Sequence, residues 1–292
     1  MIFDHATKDE KLIGFPIGFS TPVMYCNDGL LKEEGLEVPT TWDEMTEVAK
    51  KLIDDGKVEY GFALPHDPWY FWMFMAQTDT PIFTEDGNAF ACVEDGTGIT
   101  MWQKVQDMVK DKVMYFGPAQ DDNCAALFSE QKAAFVINSI GALNSIQNAA
   151  SFDFSVQFVP KEAVNAGPTG GNTLCMLGSS KEKEAAWDFL HWLYTDNGGV
   201  ATYSASIGYL PCSETIAEMD AIKEKRQDAN YQKAFEQLDY ADNQHMVSQP
   251  NNGDIANLIT AMMEATLYDF EDVTEQMNTM NEEAKATLTD LQ

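Results

Sequence analysis

The stretch LIGFPIGFSTPVMYC, residues 12–26, decides how the chain is organised. Residues 12–19 and 21–26 read as two extended segments joined near Ser20. Downstream, Pro39 and Thr40 lead into Thr41, with Glu44 three positions on. That spacing lets a hydroxyl and a carboxylate satisfy the free backbone donors of a helix start. Met45, Val48, Ala49, Leu52 and Ile53 recur at helical spacing, and Gly56 is placed to end the helix.

The alternation continues outward from there. Residues 58–63 and 134–138 predict strands, and residues 84–97 a loop or small hairpin. Ile99, Trp102, Val105 and Val109 mark an amphipathic helix, residues 122–132 a short one, and Gly141 to Ala150 another. Residues 154–160 predict a strand running into a loop rich in Pro and Gly, and residues 172–177 the next strand. Ser179 with Glu182 suggests a second capping box. It opens a helix through Ala186, Phe189, Leu190 and Leu193 that Gly198 and Gly199 would stop. GYLP, residues 208–211, is a turn. The rest is helical, over 216–240, over 254–270 (Ile255, Leu258, Ile259, Met262), and in a final helix presenting Val273, Met277, Met280, Ala284 and Leu288. Strands alternating with helices predict an α/β fold with mostly parallel pairing and a helix-rich C-terminus.

Composition narrows the function. The 292 residues carry 47 Asp and Glu against 18 Lys and Arg, a formal charge of -29, with Arg226 the single arginine. A nucleic-acid surface needs clustered cations to displace counterions from phosphates, so nucleic acid is not expected as a partner. An anionic membrane surface is equally unfavourable. Cys26, Cys92, Cys124, Cys175 and Cys212 stand singly, with no CxxC and no histidine at ligand spacing, so metal and redox motifs are not expected. They read as small buried hydrophobes. His5, His66, His191 and His245 do not cluster, and His191 reads as structural. The phosphate-binding, dinucleotide, zinc-protease and nucleophile-elbow signatures are absent, and no cofactor is called for. No apolar run of membrane-spanning length occurs, and residues 1–15 lack the basic and apolar regions of a secretion signal.

The positive candidates are aromatic and glycine-rich. LPHDPWYFWMFM, residues 64–75, packs Trp69, Tyr70, Phe71, Trp72 and Phe74 behind two prolines. As a whole the cluster suits a core. Trp69, just after Pro68 at a helix start, is expected to be exposed, with a flat apolar face that can lie against the C–H face of a sugar, while Trp72 turns inward. Gly170 and Gly171 would let a ligand approach the backbone. Tyr209 would present a phenol at a turn. Asp67, Glu85 and Asp86 near these aromatics leave open a carboxylate pair of the glycoside-hydrolase type, although solvated loop charges explain them as well.

Six segments in order resemble the extracellular solute-binding proteins of ABC sugar importers, with the glycerol-phosphate and oligosaccharide binders the nearest type. They are FPIGFSTPVMYCN (15–27), PTTWDEMTEVAKKL (39–52), LFSEQKAAFVINSIG (127–141), PTGGNTLCML (168–177), KEAAWDFLHWL (183–193) and SIGYLP (206–211). The resemblance implies a periplasmic-binding-protein-like fold of two α/β lobes around a cleft, joined by chain crossings that act as a hinge. It also implies a stretch before the equivalent of Leu12 that includes a secretion signal and most of the first lobe's sheet. Residues 1–18 and 166–214 would then be a remnant of the first lobe, and residues 19–165 and 215–292 the second. An incomplete sheet would favour self-association.

Carried over residue by residue, the resemblance implies ligand contacts from Ser20 after the first crossing, Trp69 in the cleft, and Ser139 and Gly141 at a small-residue turn. It adds Gly170 and Gly171 at the second crossing and Tyr209 in the cleft. Asn257 stands near where the glycerol-phosphate binders carry a phosphate-clamping arginine. Without that bidentate cation a neutral sugar is favoured. Delivery to a membrane permease, an extracellular or periplasmic location as a lipoprotein, and no enzymatic activity complete what the resemblance implies.

Overall fold

The computed structural model describes residues 6–8, 11–117, 123–195, 199–242 and 252–289. In chain order, a short ladder of β1 (Thr7–Lys8) and β2 (Lys11–Leu12) precedes β3 (Phe15–Ser20), β4 (Pro22–Asn27), α1 (Asp28–Glu34), α2 (Trp42–Asp54), β5 (Tyr60–Leu64), α3 (Pro68–Ala76), α4 (Ala91–Glu94) and α5 (Thr97–Lys110). There follow β6 (Met114–Phe116), α6 (Asn123–Ser129), β7 (Ala133–Ser139), a 3-10 turn (Ile140–Ala142), α7 (Leu143–Ala149), β8 (Phe154–Gln157), β9 (Gly170–Leu174), α8 (Lys183–Thr195) and α9 (Gly199–Ile207). The chain closes with α10 (Glu214–Ala217), α11 (Asp220–Lys225), α12 (Ala229–Gln237), α13 (Asn252–Leu267) and α14 (Val273–Thr289).

β3 and β4 are consecutive, yet they enter different sheets. β3 pairs antiparallel with β9, while β4 sits inside a five-stranded sheet ordered β6-β5-β7-β4-β8. The switch occurs at Thr21, between Ser20 paired to Gly170 and Pro22 paired to Ser139. β5 runs parallel to β6 and β7, but β4 runs antiparallel to both β7 and β8. The expectation of mostly parallel pairing is therefore wrong. β4 begins at the end of the sheet where β7 finishes, so the two must run in opposite directions.

Both faces of the five-stranded sheet are covered, which explains its strongly apolar strands. Along β5, Phe62 and Leu64 join one core with Trp42, Phe71, Phe74, Trp102, Met262 and Met277, whereas Ala63 joins the other with Phe128, Ile146, Leu210 and Tyr231. Each large side chain fully withdrawn from water stabilises by roughly 1.5–3 kcal/mol before entropy is counted. The predicted apolar face of α14 is buried throughout. So are Met45, Ala49 and Leu52 of α2, and Trp72. Gly56 follows α2 in the left-handed region, φ 68°.

Several local expectations are refined or corrected. Thr41 Oγ1 accepts from Glu44 N at 3.2 Å, and the Glu44 carboxylate, besides facing the Thr41 N–H, reaches the backbone N–H (2.7 Å) and hydroxyl (2.8 Å) of Thr40. Before α8 it is Ser180 Oγ, not Ser179, that accepts from Glu182 N, at 3.2 Å. Around residues 84–97 the expected small hairpin is present, closed by the antiparallel Phe83–Phe90 bridge, but the short helix α4 follows it. Residues 216–240 break into short helices because the polar faces there offer no continuous apolar stripe. Gly199 opens α9 instead of ending α8, while Gly198, His5 and His245 lie outside the described residues. On α8, Leu190 and Leu193 are buried, but Phe189 is exposed along with Trp187 and Trp192. With Leu12, Ile13 and Leu177 these make the β3–β9 side of the molecule unusually apolar at its surface. Among the described residues no helix is long and apolar enough to cross a membrane.

Candidate functional site: the strand crossing

The point where the chain changes sheets gathers side chains from distant parts of the sequence. Thr21 Oγ1 donates to the Pro168 carbonyl at 3.3 Å and accepts from the buried amide of Gln237 at 3.2 Å. The backbone N–H of Phe19 donates to Leu210 O at 2.9 Å, and that of Leu210 returns to Phe19 O at 2.7 Å. Gly167 bridges to Ala241, with Asp242 N donating to Gly167 O at 2.8 Å. Three stretches of chain, around 20–22, 167–170 and 209–211, are thus bound to one another.

Around this knot stand most of the predicted site residues. Ser20, at the end of β3, shares a hydroxyl–hydroxyl hydrogen bond with Ser139, at the end of β7. Ser139 Oγ also accepts from Gly141 N at 3.0 Å and so caps the 3-10 turn. Its carbonyl accepts from the buried Tyr25 hydroxyl at 2.9 Å; burial pushes the Tyr25 phenol well above its ordinary range, so it stays a donor.

Glycines shape the seat of Tyr209. A Cβ at Gly141 would stand 2.7 Å from Tyr209 Cε1, and one at Gly18 would stand 3.1 Å from Tyr209 Cβ. The ring is therefore held against both backbones, half-buried, with its carbonyl fixed by the Tyr231 hydroxyl at 2.7 Å. Gly171 faces Phe19 in the β3–β9 ladder, and a side chain there would strike the Gly18 carbonyl.

Trp69 is half-buried, where the sequence reading expects exposure. Asp67 caps α3, accepting from Trp69 N at 2.8 Å, and this turns the indole toward the crossing. There Nε1 donates to Thr169 O at 3.4 Å, and the ring lies 3.5–3.6 Å from where a Gly170 Cβ would be. The aromatic face is pinned by backbone that glycine leaves bare. Asn257 is different: it is exposed on α13, a helix that packs on α3, α5 and α14.

Sequence reasoning missed Gly18, which seats Tyr209, and Asn138. Asn138 is half-buried beside Ser139, its Oδ1 accepting from Ser139 N at 2.7 Å and from Tyr70 Oη at 3.5 Å. Its strand-end position after AFVI was the available signal. Among the described residues no lysine or arginine side chain is bonded to Ser20, Trp69, Asn138, Ser139, Gly170 or Tyr209, and the one carboxylate bonded there is the Asp67 cap on Trp69 N. The crossing is a face of hydroxyl, amide and ring groups. Neither the groove of about 870 Å³ between α2 and α5 nor that of about 470 Å³ beside Asp239 and Asp242 contains any of these residues. Among the described residues no cluster of His, Cys, Asp and Glu suits a metal ion.

Comparison with known proteins agrees with this architecture. A binding protein of Brucella abortus is 27% identical over 227 residues, covering 73% of this chain and 53% of its own length. The sn-glycerol-3-phosphate-binding periplasmic protein UgpB of Pectobacterium atrosepticum is 28% identical over 240 residues, covering 73% and 51%. The chain thus spans about half the length of these curated relatives. The GacH receptor of Streptomyces glaucescens, solved unliganded and with acarbose, superposes at TM-score 0.88 with 18% identity, over 100% of this chain and 75% of its own. A substrate-binding protein of Listeria monocytogenes in complex with cycloalternan superposes at 0.83 with 21% identity, over 99% and 74%. The fold is accordingly the two-lobe, periplasmic-binding-protein-like α/β architecture. The profile of bacterial extracellular solute-binding proteins matches residues 2–230, and the chain belongs to that family.

Proposed function

We propose that this chain captures a neutral carbohydrate outside the cell for delivery to the permease of an ABC importer, without chemical change to it. The observation that carries the reading is the crossing itself. Ser20, Ser139 and Asn138 offer short polar groups beside two half-buried aromatic rings, Trp69 and Tyr209. Sugars present hydroxyls at their edges and C–H groups on their faces, and such a mixed lining suits both. The Gly170 and Gly171 backbone would let the ligand come close.

The identity of the ligand class rests on what the crossing lacks. A phosphate needs a cation or an array of N–H donors, and among the described residues no Lys or Arg is bonded to the crossing. That favours a neutral sugar over glycerol phosphate, even though UgpB proteins are among the relatives. Acarbose and cycloalternan, present with the two structural neighbours, are oligosaccharide-like in the same sense. A hydrolytic enzyme would need a carboxylate pair flanking the sugar. Asp67, the acid next to the crossing, is engaged in capping α3.

In this reading residues 1–18 with 166–214 belong to one lobe and residues 19–165 with 215–292 to the other, and the knot at Thr21, Gly167 and Leu210 is the hinge on which they close. The apolar side formed by Leu177, Trp187, Phe189 and Trp192 would be covered by further lobe structure or by a second copy. Asn257 contributes only if lobe closure brings α13 to the ligand.

The test is intrinsic tryptophan fluorescence of the chain during titration with mono- and oligosaccharides and with glycerol 3-phosphate. A saturable change with a neutral sugar, lost in Trp69→Ala, is expected. Saturation by glycerol 3-phosphate alone would overturn the ligand class, and turnover of a glycoside would overturn the binding reading.

A further inference from the structure

His66 precedes the capped start of α3 and is withdrawn from water, with only 2% of its side chain exposed. Its ring packs on Phe116 (centroids 4.9 Å apart) and against the edge of Tyr268 (5.7 Å). The Tyr268 hydroxyl donates its proton to the Gly117 carbonyl, so it meets His66 Nδ1, 3.2 Å away, as an acceptor. His66 therefore carries its proton on Nδ1, and Nε2 presents a lone pair. That Nε2 is buried and, among the described residues, has no hydrogen-bond partner. Glu264 Oε1 stands 4.0 Å away on α13, so a lone pair faces a carboxylate.

A second proton on Nε2 turns this mismatch into an attraction. Among the described residues the titratable and charged groups facing His66 are Glu264 from α13, Tyr268 from the turn after it and Asp67 from its own loop, while β6 and its end supply the Phe116 ring and the Gly117 carbonyl. Burial holds the imidazole below its ordinary value, partly offset by Glu264 and Asp67. The neutral form thus prevails through the ordinary imidazole range, and the charge appears only as pH falls below it.

His66 is rigidly coupled to the crossing. Asp67 accepts from Trp69 N at 2.8 Å, and its carbonyl accepts from Tyr70 N at 3.0 Å. These bonds connect His66, through Asp67, to the residue that lies on Gly170. We propose that His66 and Glu264 form a pH-operated latch, in which acid draws the loop toward α13 and displaces Trp69 from the crossing, weakening ligand capture there. This rests on reading the crossing as the ligand site.

The test separates the two ideas by using a readout that needs no ligand. Tryptophan emission of the full chain is followed between about pH 4 and pH 7.5, in wild type and in Trp69→Phe, to isolate the Trp69 contribution. A one-proton transition in that contribution is expected, absent from His66→Gln and moved to lower pH in Glu264→Gln, a substitution at a half-exposed side chain that leaves the core intact. A flat profile in wild type, a transition that survives His66→Gln, or one unmoved by Glu264→Gln overturns the latch. If the transition occurs and maltose or maltotriose binds, affinity falls with the same midpoint. If it occurs and no sugar binds at any pH, the latch stands and the carbohydrate reading fails.

Discussion

Ser20 and Ser139 are 119 residues apart in sequence, and their hydroxyls share one hydrogen bond where β3 leaves one sheet and β7 ends in another. Ser139 at the same time accepts from Gly141 N. One serine therefore joins the two sheets and caps the turn that seats Tyr209. Ser139→Ala is expected to lower stability by about 0.5–2 kcal/mol, the usual cost of losing a capping hydroxyl. Ser20→Ala, which leaves the cap intact, should cost less. Urea denaturation of both variants checks the order, and equal losses would mean that the cap contributes nothing.

Gly141→Ala would place a methyl group 2.7 Å from the Tyr209 ring. The expected loss is roughly 1–3 kcal/mol, typical of overpacking. In a Tyr209→Ala background the same substitution should cost much less, since the ring it strikes is gone. A double-mutant cycle measures the coupling, and additive losses would contradict the packing described.

Trp42 Nε1 donates to the fully buried Gln77 Oε1 at 2.6 Å, and Gln77 Nε2 donates to Ala166 O at 3.2 Å, tying α2 to the segment before β9. Trp42→Phe keeps most of the apolar area but strands the Gln77 oxygen. A loss of about 1–3 kcal/mol is expected from leaving a buried acceptor unpaired. Thermal or urea unfolding reads it directly.

Thiol chemistry should single out one residue. Cys26, Cys92, Cys124 and Cys212 are buried and Cys175 is exposed. Burial raises the Cys92 thiol to about 12 and the Cys212 thiol to about 11, and pushes Cys26 well above its ordinary value. Near pH 8 the native chain should release one equivalent with a thiol reagent, lost in Cys175→Ser, and five equivalents after unfolding. More than one fast equivalent in the native state would contradict the burial.

With 47 acidic against 18 basic residues, repulsion between surface carboxylates opposes compaction. The melting temperature should rise as sodium chloride is raised from low ionic strength toward about 0.1 M, where the screening length falls to about 10 Å. A melting temperature that falls over the same range would show that the attractive pairs, such as Lys104 with Asp43 and Glu162, outweigh the repulsion.

How much of this was legible beforehand depended on the range of the interaction involved. The sequence by itself determined the class of the fold and most of its elements, because the alternation of strand and helix periods and the capping residues act within a few positions. The buried stripe of α14 and the inward Trp72 followed from spacing alone. Six short segments in order were enough to identify the family. What spacing cannot carry is partner choice between distant strands. Only the tertiary structure decided that β4 runs antiparallel to β7 and that Thr21 is the switch between sheets. It also decided that Trp69 lies pinned on Gly170 instead of standing free, because the receiving surface comes from residues a hundred positions away. The exposed ring of Phe189 on α8 has the same origin: a helical period marks an apolar stripe, but the packing partners determine which of its members are buried. Gly18 and His66 carry no local signature at all. Their roles arise from what the fold sets against them: the Tyr209 ring in one case, the Glu264 carboxylate in the other.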